Sequence, residues 1–134
     1  MEERMMKKTL TLAALMLAPC LAFAAPYPDG DAEKGAKVFK KCVSCHRVGA
    51  DAKNFVGPQL NNIIGREIAA LTDYSYSKGM IAFAETAKVW DEATLDAYLA
   101  NPRKAVKGTR MAFAGLRKDS QRHDVIAYLK QASK

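Results

Sequence analysis

Residues 42–46, Cys42-Val43-Ser44-Cys45-His46, constrain this chain more than any other feature, because two thiols and an imidazole stand within one short stretch. The C-x-x-C-H spacing brings both thiols onto one turn and places the imidazole directly beside them. This pattern is typical of c-type haem attachment, in which the thiols form thioethers with two vinyl groups and the histidine binds iron. The motif therefore predicts that Cys42 and Cys45 attach haem c and that His46 is the proximal ligand.

Two other chemistries use cysteines at this spacing. A thioredoxin-like dithiol normally belongs to a βαβ unit, and the sequence contains no convincing strand. A structural zinc site needs four ligands, yet His123 is the only further histidine. Both are therefore disfavoured, and free structural cysteines or a local disulfide remain as the simpler alternative to haem.

Residues 1–24 are predicted to be a secretory signal peptide. Arg4, Lys7 and Lys8 precede an apolar run over residues 10–21, and Ala22-Phe23-Ala24 is a small-x-small cleavage signal. The run is shorter than the roughly 20 apolar residues that span a bilayer. We expect cleavage after Ala24, export to the periplasm without a transmembrane anchor, and one domain over residues 25–134.

Cleavage narrows the choice of a second axial ligand. It removes Cys20 and four methionines, which leaves Met80, Met111 and His123 as candidates, with lysine as a rarer one. Met111 is favoured because it lies in an irregular, glycine-containing segment that can cross a haem face. Met80 lies in a predicted helix, where methionine more often packs in the core. For His123 a solvated histidine is the simpler interpretation.

Apolar periodicity predicts an all-α chain. Gly35 in the first helix predicts a close crossing with the last helix near Tyr128. A short apolar turn should follow Pro58, and residues 103–118 should be irregular. The expected helices are Ala32–Cys42, a Ser77-capped helix through Ala84, an Asp91-capped helix that ends at Asn101-Pro102, and a final helix capped by Asp119 or Ser120.

The chain resembles mitochondrial cytochrome c and its soluble bacterial relatives, the class I cytochromes, from Gly30 to Lys130. The resemblance implies a small, single-domain, all-α cytochrome c fold around one covalent haem. It also implies a soluble electron carrier rather than an enzyme. The matching stretches are Gly30-Asp31-Ala32-Glu33-Lys34-Gly35, the haem motif, Gly57-Pro58-Gln59-Leu60, Gly65-Arg66, Trp90, Tyr98-Leu99, Asn101-Pro102, the stretch from Gly108 to Gly115, and Ile126-Ala127-Tyr128-Leu129-Lys130.

The resemblance also implies roles for individual residues. Met111 would be the sixth ligand, the Pro58 carbonyl would accept the free N–H of His46, and Tyr98 would bond near the methionine sulfur. Three further residues match those that hold the haem propionates in the family: Tyr76, Trp90 and Arg66. A simpler interpretation is that Tyr76 and Trp90 are core aromatics and that Arg66 is an exposed cation. A departure is Lys107, where the family often has proline, and this change is expected to loosen the segment before Met111.

The basic surplus indicates acidic partners. Without residues 1–24 the chain keeps a formal charge of +6, and its cations are dispersed among acids without a basic helix, so nucleic acid is not expected. We expect a monomer that docks on membrane or periplasmic redox proteins through a positive face around the haem edge, although a basic surface also serves solubility. The cations of this face are Lys41, Arg103, Lys104, Lys107, Arg110, Arg117 and Lys118.

Two other functions stay open at this point. Opening of a labile Met111 would give a peroxidatic or gas-binding haem protein, for which Lys107 is the only sequence support. Alternatively, the chain is a tightly held haem subunit of a larger redox complex.

Overall fold

A computed structural model describes residues 25–133, so the predicted signal peptide lies outside the described residues. Within them the only β-structure is one antiparallel bridge between Glu67 and Val89, and the expected all-α fold is confirmed. No helix in this part of the chain is long and apolar enough to cross a membrane. The helices are α1 (Ala32–Phe39), α2 (Lys78–Ala87), α3 (Glu92–Ala100), α4 (Pro102–Ala105) and α5 (Asp119–Ala132).

Helices α1 and α5 cross with almost no space between their backbones. A Cβ atom added to Gly35 would lie 1.9 Å from the carbonyl oxygen of Asp124 and 2.7 Å from the Cβ of Tyr128. A helical glycine costs about 1 kcal/mol relative to alanine, so the close packing outweighs this cost. The predicted crossing at Gly35 is confirmed, and the Phe39 and Tyr128 rings pack beside it with centroids 5.2 Å apart.

Helix α1 ends at Phe39, and the prediction that it continues to Cys42 was wrong. The Lys41 N–H donates to the Val38 carbonyl at 3.0 Å, and the Cys42 N–H donates to Phe39 at 2.8 Å. These are i to i+3 bonds, which tighten the chain into successive turns. The haem motif therefore lies on turns after the helix.

Helix α2 begins as predicted, because the Ser77 hydroxyl accepts the Met80 N–H at 3.1 Å. It extends beyond Ala84 to Ala87 and buries none of its residues fully. Ile81 is 51% exposed, while the half-buried side chains of α2, including Met80, pack against the core. This helix therefore borders the core with an incompletely covered apolar face.

Helix α3 also begins as predicted, since the Asp91 carboxylate accepts the Thr94 N–H at 2.7 Å. Trp90 and Leu95, which flank this cap, are both buried. They occupy the positions of a hydrophobic staple, which fixes the angle at which the chain enters a helix. The cap and the staple together orient α3 and its buried Tyr98.

Two predictions about helix starts were wrong, because residues 103–118 are not irregular throughout and neither Asp119 nor Ser120 caps α5. Asn101 ends α3, but its side-chain oxygen also accepts the Lys104 N–H at 3.1 Å. Pro102 is then the first residue of α4, where its missing N–H costs nothing. In α5 the cap position is Lys118, without a side-chain cap, because the Asp119 carboxylate instead accepts a bond from Arg122 at 2.6 Å.

Candidate haem site

The two thiols of the motif share one turn after α1. The Cys45 N–H donates to the Cys42 carbonyl at 3.1 Å, and the His46 N–H donates to the same carbonyl at 2.8 Å. Both cysteines are half-buried and free rather than joined in a disulfide. Burial, and then the neighbouring Cys45, raise the pKa of the Cys42 thiol. The arrangement presents two thiols and an imidazole from a single compact turn.

The imidazole of His46 is oriented by one hydrogen bond. Its Nδ1 lies 2.7 Å from the carbonyl oxygen of Pro58, which can only accept, so Nδ1 carries the proton and Nε2 is left with its lone pair. Burial and the charge of Arg66 lower the pKa of His46, while the bond to Pro58 acts in the opposite direction. A neutral imidazole with a free Nε2 is the form that binds a metal.

Gly57 fits directly against the imidazole ring. A Cβ atom at this position would lie 2.4 Å from Cε1 of His46. The Gly57 N–H donates to the Cys45 carbonyl at 2.8 Å, which ties this loop to the haem motif. In the sequence, Gly57 is distinguished only as part of the stretch Gly57-Pro58-Gln59-Leu60 that matches the family, and this steric role was not predicted, although its position before Pro58 was a signal.

Met111 lies in the segment between α4 and α5, half-buried against the core. The Tyr98 hydroxyl donates to its sulfur at 3.3 Å, and the Met111 N–H donates to the Thr109 hydroxyl at 3.2 Å. Burial raises the pKa of Tyr98, so this hydroxyl stays protonated and able to donate. The contact implied by the resemblance is present in the structure.

The segment before Met111 packs directly on α2. A Cβ atom at Gly79 would lie 2.0 Å from the carbonyl oxygen of Lys107, and the Arg110 guanidinium donates to the Ser75 carbonyl. Lys107 was expected to loosen this segment, yet its backbone is closely packed against the first turn of the helix.

The other two ligand candidates make different contacts. Met80 is half-buried on α2 and packs against the core. The His123 ring on α5 packs edge-on against Tyr27, with centroids 5.2 Å apart. His123 is half-buried, so the expected solvated histidine is only partly exposed to solvent.

Arg66 points its guanidinium into the protein. It donates to the Gln59 carbonyl at 2.9 Å and to the Asn61 carbonyl at 3.2 Å. Its Nε is buried and has no hydrogen-bond partner among the described residues, and burial lowers the pKa of Arg66. Because an unpaired buried donor is costly, this nitrogen suits an anionic acceptor such as a carboxylate. Arg66 is therefore not the exposed cation of the simpler interpretation.

Trp90 and Tyr76, the other two residues that the resemblance places at the haem propionates, both lie close to Arg66 in the fold. Trp90 is buried, donates its backbone N–H to the Arg66 carbonyl at 2.9 Å, and packs against Tyr98 with centroids 5.0 Å apart. Tyr76 accepts the Leu71 N–H at 3.3 Å through its hydroxyl. Core packing remains a sufficient explanation of Trp90, whereas Tyr76 is half-buried, is not among the residues of the hydrophobic core, and packs edge-on against Tyr74 with ring centroids 4.9 Å apart.

The sequence profile of the cytochrome c family matches residues 32–133. This chain belongs to the cytochrome c family. A cytochrome c2 from Rhodomicrobium vannielii is 46% identical over 106 residues, which cover 79% of this chain and 82% of the relative. Cytochrome c from Kluyveromyces lactis is 41% identical over 111 residues, covering 82% and 98%.

A solved structure supports the same family. Cytochrome cH from Methylobacterium extorquens superposes with a TM-score of 0.69 at 37% identity and covers 76% of this chain and 99% of that one. As a c-type cytochrome, this protein functions in electron transfer, and its family carries covalently attached haem c. Cys42 and Cys45 stand in the attachment positions of the motif.

The residues present fit the haem of a cytochrome c. Two free thiols share one turn, His46 keeps Nε2 available, and the buried Nε of Arg66 lacks an acceptor within residues 25–133. Residues 25–133 contain no cluster of three or more His, Cys, Asp or Glu side chains that could hold a metal ion. The zinc alternative therefore gains no support from these residues.

Proposed function

We propose that this cytochrome c carries single electrons on one haem attached through Cys42 and Cys45 and ligated by His46 and Met111. The observation that carries the proposal is that each proposed ligand has its own orienting hydrogen bond. His46 is held by the Pro58 carbonyl at 2.7 Å and the Met111 sulfur by the Tyr98 hydroxyl at 3.3 Å. When bound, the haem supplies an iron that alternates between the ferrous and ferric states.

The side chains around this group favour electron transfer over catalysis. With His46 and Met111 as its two protein ligands, the iron would have no free position for oxygen or peroxide. The Pro58 carbonyl makes the imidazole a stronger ligand, whereas a thioether ligand and apolar surroundings favour the ferrous state. Arg66, with Nε buried and unpaired, would offset the charge of a propionate.

The ferric holoprotein tests this ligand assignment. We expect a methionine-to-iron charge-transfer band that is stable near neutral pH, and a reversible titration whose slope is that of one electron, about 59 mV per decade. A ferric spectrum without this band at neutral pH would instead support the alternative of a labile Met111 and a peroxidatic or gas-binding protein.

We further propose that residues 1–24 direct export and are removed after Ala24, which places the mature protein in the periplasm as a soluble monomer. The basic start, the short apolar run and the small-x-small site support this proposal. An intact mass that begins at Ala25 and a monomeric elution volume of the native protein are the expected results. Elution with a larger redox complex would support the subunit alternative.

The partner is proposed to be a redox protein with an acidic docking surface. The cations before and after Met111, such as Lys104, Lys107 and Arg117, are all exposed. Lys107 and Arg117 belong to the segment between α4 and α5 that contains Met111, and Lys104 lies on α4 directly before it, so all three are close in sequence to the proposed ligand. Exposed charges steer association at long range but add little once paired.

Salt and charge reversal test this docking face. Because a Debye length is about 10 Å at 0.1 M salt, the bimolecular electron-transfer rate with the natural partner should fall as ionic strength rises. Lys104→Glu should lower that rate roughly tenfold at low salt without changing the potential. Lys88→Glu, an equal charge change at the end of α2, is the control. A rate that is flat or rises with salt would remove the electrostatic part of the proposal.

A further inference from the structure

Arg122 holds the C-terminal end of the segment that contains Met111. It is 8% exposed and is the only buried polar or charged side chain in residues 25–133. Its Nη1 donates to the Leu116 carbonyl at 2.7 Å and to the Arg117 carbonyl at 3.2 Å. The buried Leu116 in turn donates its N–H to the Leu99 carbonyl at 2.8 Å. One arginine of α5 thus fixes the point at which the segment leaves the core.

The charge of Arg122 is balanced by two carboxylates of unequal shielding. Its Nε donates to Asp96 on α3 at 2.9 Å, and its Nη2 donates to Asp119 at 2.6 Å. The Asp119 side chain is 75% exposed, whereas that of Asp96 is 23% exposed. Because exposed ion pairs are screened and weak, Asp96 is the partner that determines where the buried guanidinium points.

Tyr27, in the N-terminal stretch of residues 25–31 before α1, also binds the Asp96 carboxylate. Its hydroxyl donates to Oδ1 of Asp96 at 2.9 Å, the same oxygen that accepts from Arg122. Its ring packs edge-on against His123, the neighbour of Arg122 on α5. A continuous chain of hydrogen bonds therefore runs from this N-terminal stretch through Asp96 and Arg122 to the carbonyls of Leu116 and Arg117.

We infer that Tyr27 and Asp96 are positioning residues for Met111 and act through Arg122. The inference rests on the proposed function, in which Met111 is the sixth ligand. The planar guanidinium reaches the two loop carbonyls and both carboxylates at once only in one orientation. When Asp96 or Tyr27 no longer holds that orientation, the end of the loop is released more often, and the methionine leaves the sixth position more often.

Binding of added imidazole to the ferric holoprotein measures this release. Asp96→Asn keeps the shape of the side chain but removes its charge, and we expect imidazole to bind about tenfold faster, the change that loss of one charge-assisted bond produces. Tyr27→Phe keeps the ring on His123 and should give a smaller rise of about threefold, since the Tyr27 hydrogen bond is lost but the bond from Arg122 to Asp96 remains. Both variants should retain wild-type haem content.

Glu92→Gln is the matched control, because Glu92 and Lys130 form another ion pair between α3 and α5 with no bond to the Met111 segment. Its imidazole rate should stay within about twofold of wild type. A second reference is Ile126→Val, which lowers global stability by a core truncation. A rate that follows loss of unfolding free energy in all four variants would overturn the positioning role, as would an unchanged rate in Asp96→Asn.

The wild-type spectrum separates this inference from the proposal beneath it. If the ferric wild type lacks the methionine band, the ligand assignment fails and the positioning role fails with it. If the band is present and Asp96→Asn leaves both the band and the imidazole rate unchanged, only the positioning role is overturned.

Discussion

Met111→Ala is expected to leave a folded, haem-containing protein whose sixth position is open. Attachment depends on Cys42 and Cys45, and His46 stays on its side, held by Pro58 at 2.7 Å. The ferric methionine band should disappear, and added imidazole or cyanide should bind at least a hundredfold faster, because no protein ligand must first dissociate. Axial ligands set haem potentials over about 0.8 V, so we expect the potential to fall by on the order of 0.2 V.

Met80→Ala is the matched control for this variant. Met80 is also a half-buried methionine that packs against the core, and its truncation should cost about 2 kcal/mol of stability or more. The band and the potential should nevertheless remain those of the wild type. Loss of the band in Met80→Ala together with its retention in Met111→Ala would show that the ligand assignment is wrong.

Gly57→Ala should damage the opposite side of the site. The new Cβ atom would fall 2.4 Å from Cε1 of His46, so either the imidazole or the Gly57 loop must move. Overpacking of this kind typically costs about 1–3 kcal/mol, and here the displaced group is the proximal ligand itself. We expect a severalfold lower yield of holoprotein and a lowered thermal midpoint of the ferric form, measured by absorbance and circular dichroism.

Pro58→Ala provides the comparison for Gly57→Ala. The contact with His46 uses the carbonyl of residue 58, which alanine also carries, so the bond can persist and only the rigidity of proline is lost. Its holoprotein yield should therefore stay near that of the wild type. A Gly57→Ala protein with wild-type yield and midpoint would mean that the ring and the added methyl group can be accommodated without strain.

Local sequence patterns predicted most of the helices, because the start and end of a helix depend mainly on residues that are close together in the chain. The caps at Ser77 and Asp91 are each satisfied by an N–H three residues on, which is a local rule. The exception is the start of α5, where Asp119 was a suitable cap but pairs with Arg122 instead. The sequence alone does not show which of two available donors a carboxylate will accept from, because that choice depends on the fold.

The residues of the haem site also divide into those that the sequence predicts and those whose roles depend on the fold. The motif alone was enough to predict that Cys42, Cys45 and His46 are the haem-binding residues. The contacts of Pro58 and Tyr98, by contrast, were implied only by the resemblance, and they are present at 2.7 and 3.3 Å. The bond between Asp96 and Arg122 spans 26 residues, and no local periodicity links two positions so far apart. The steric role of Gly57 depends on where the imidazole of His46 turns, which is a property of the folded loop.

The intact mass of the purified protein after acid-acetone extraction tests most directly whether this cytochrome c holds its haem by covalent bonds. We predict one haem per chain, retained by the polypeptide through extraction, and its complete release when Cys42 and Cys45 are both replaced by alanine. The two free thiols on one turn after α1 motivate this expectation. A wild-type polypeptide that loses its haem to the acetone phase, with a mass equal to that of the chain alone, would contradict covalent attachment at this motif.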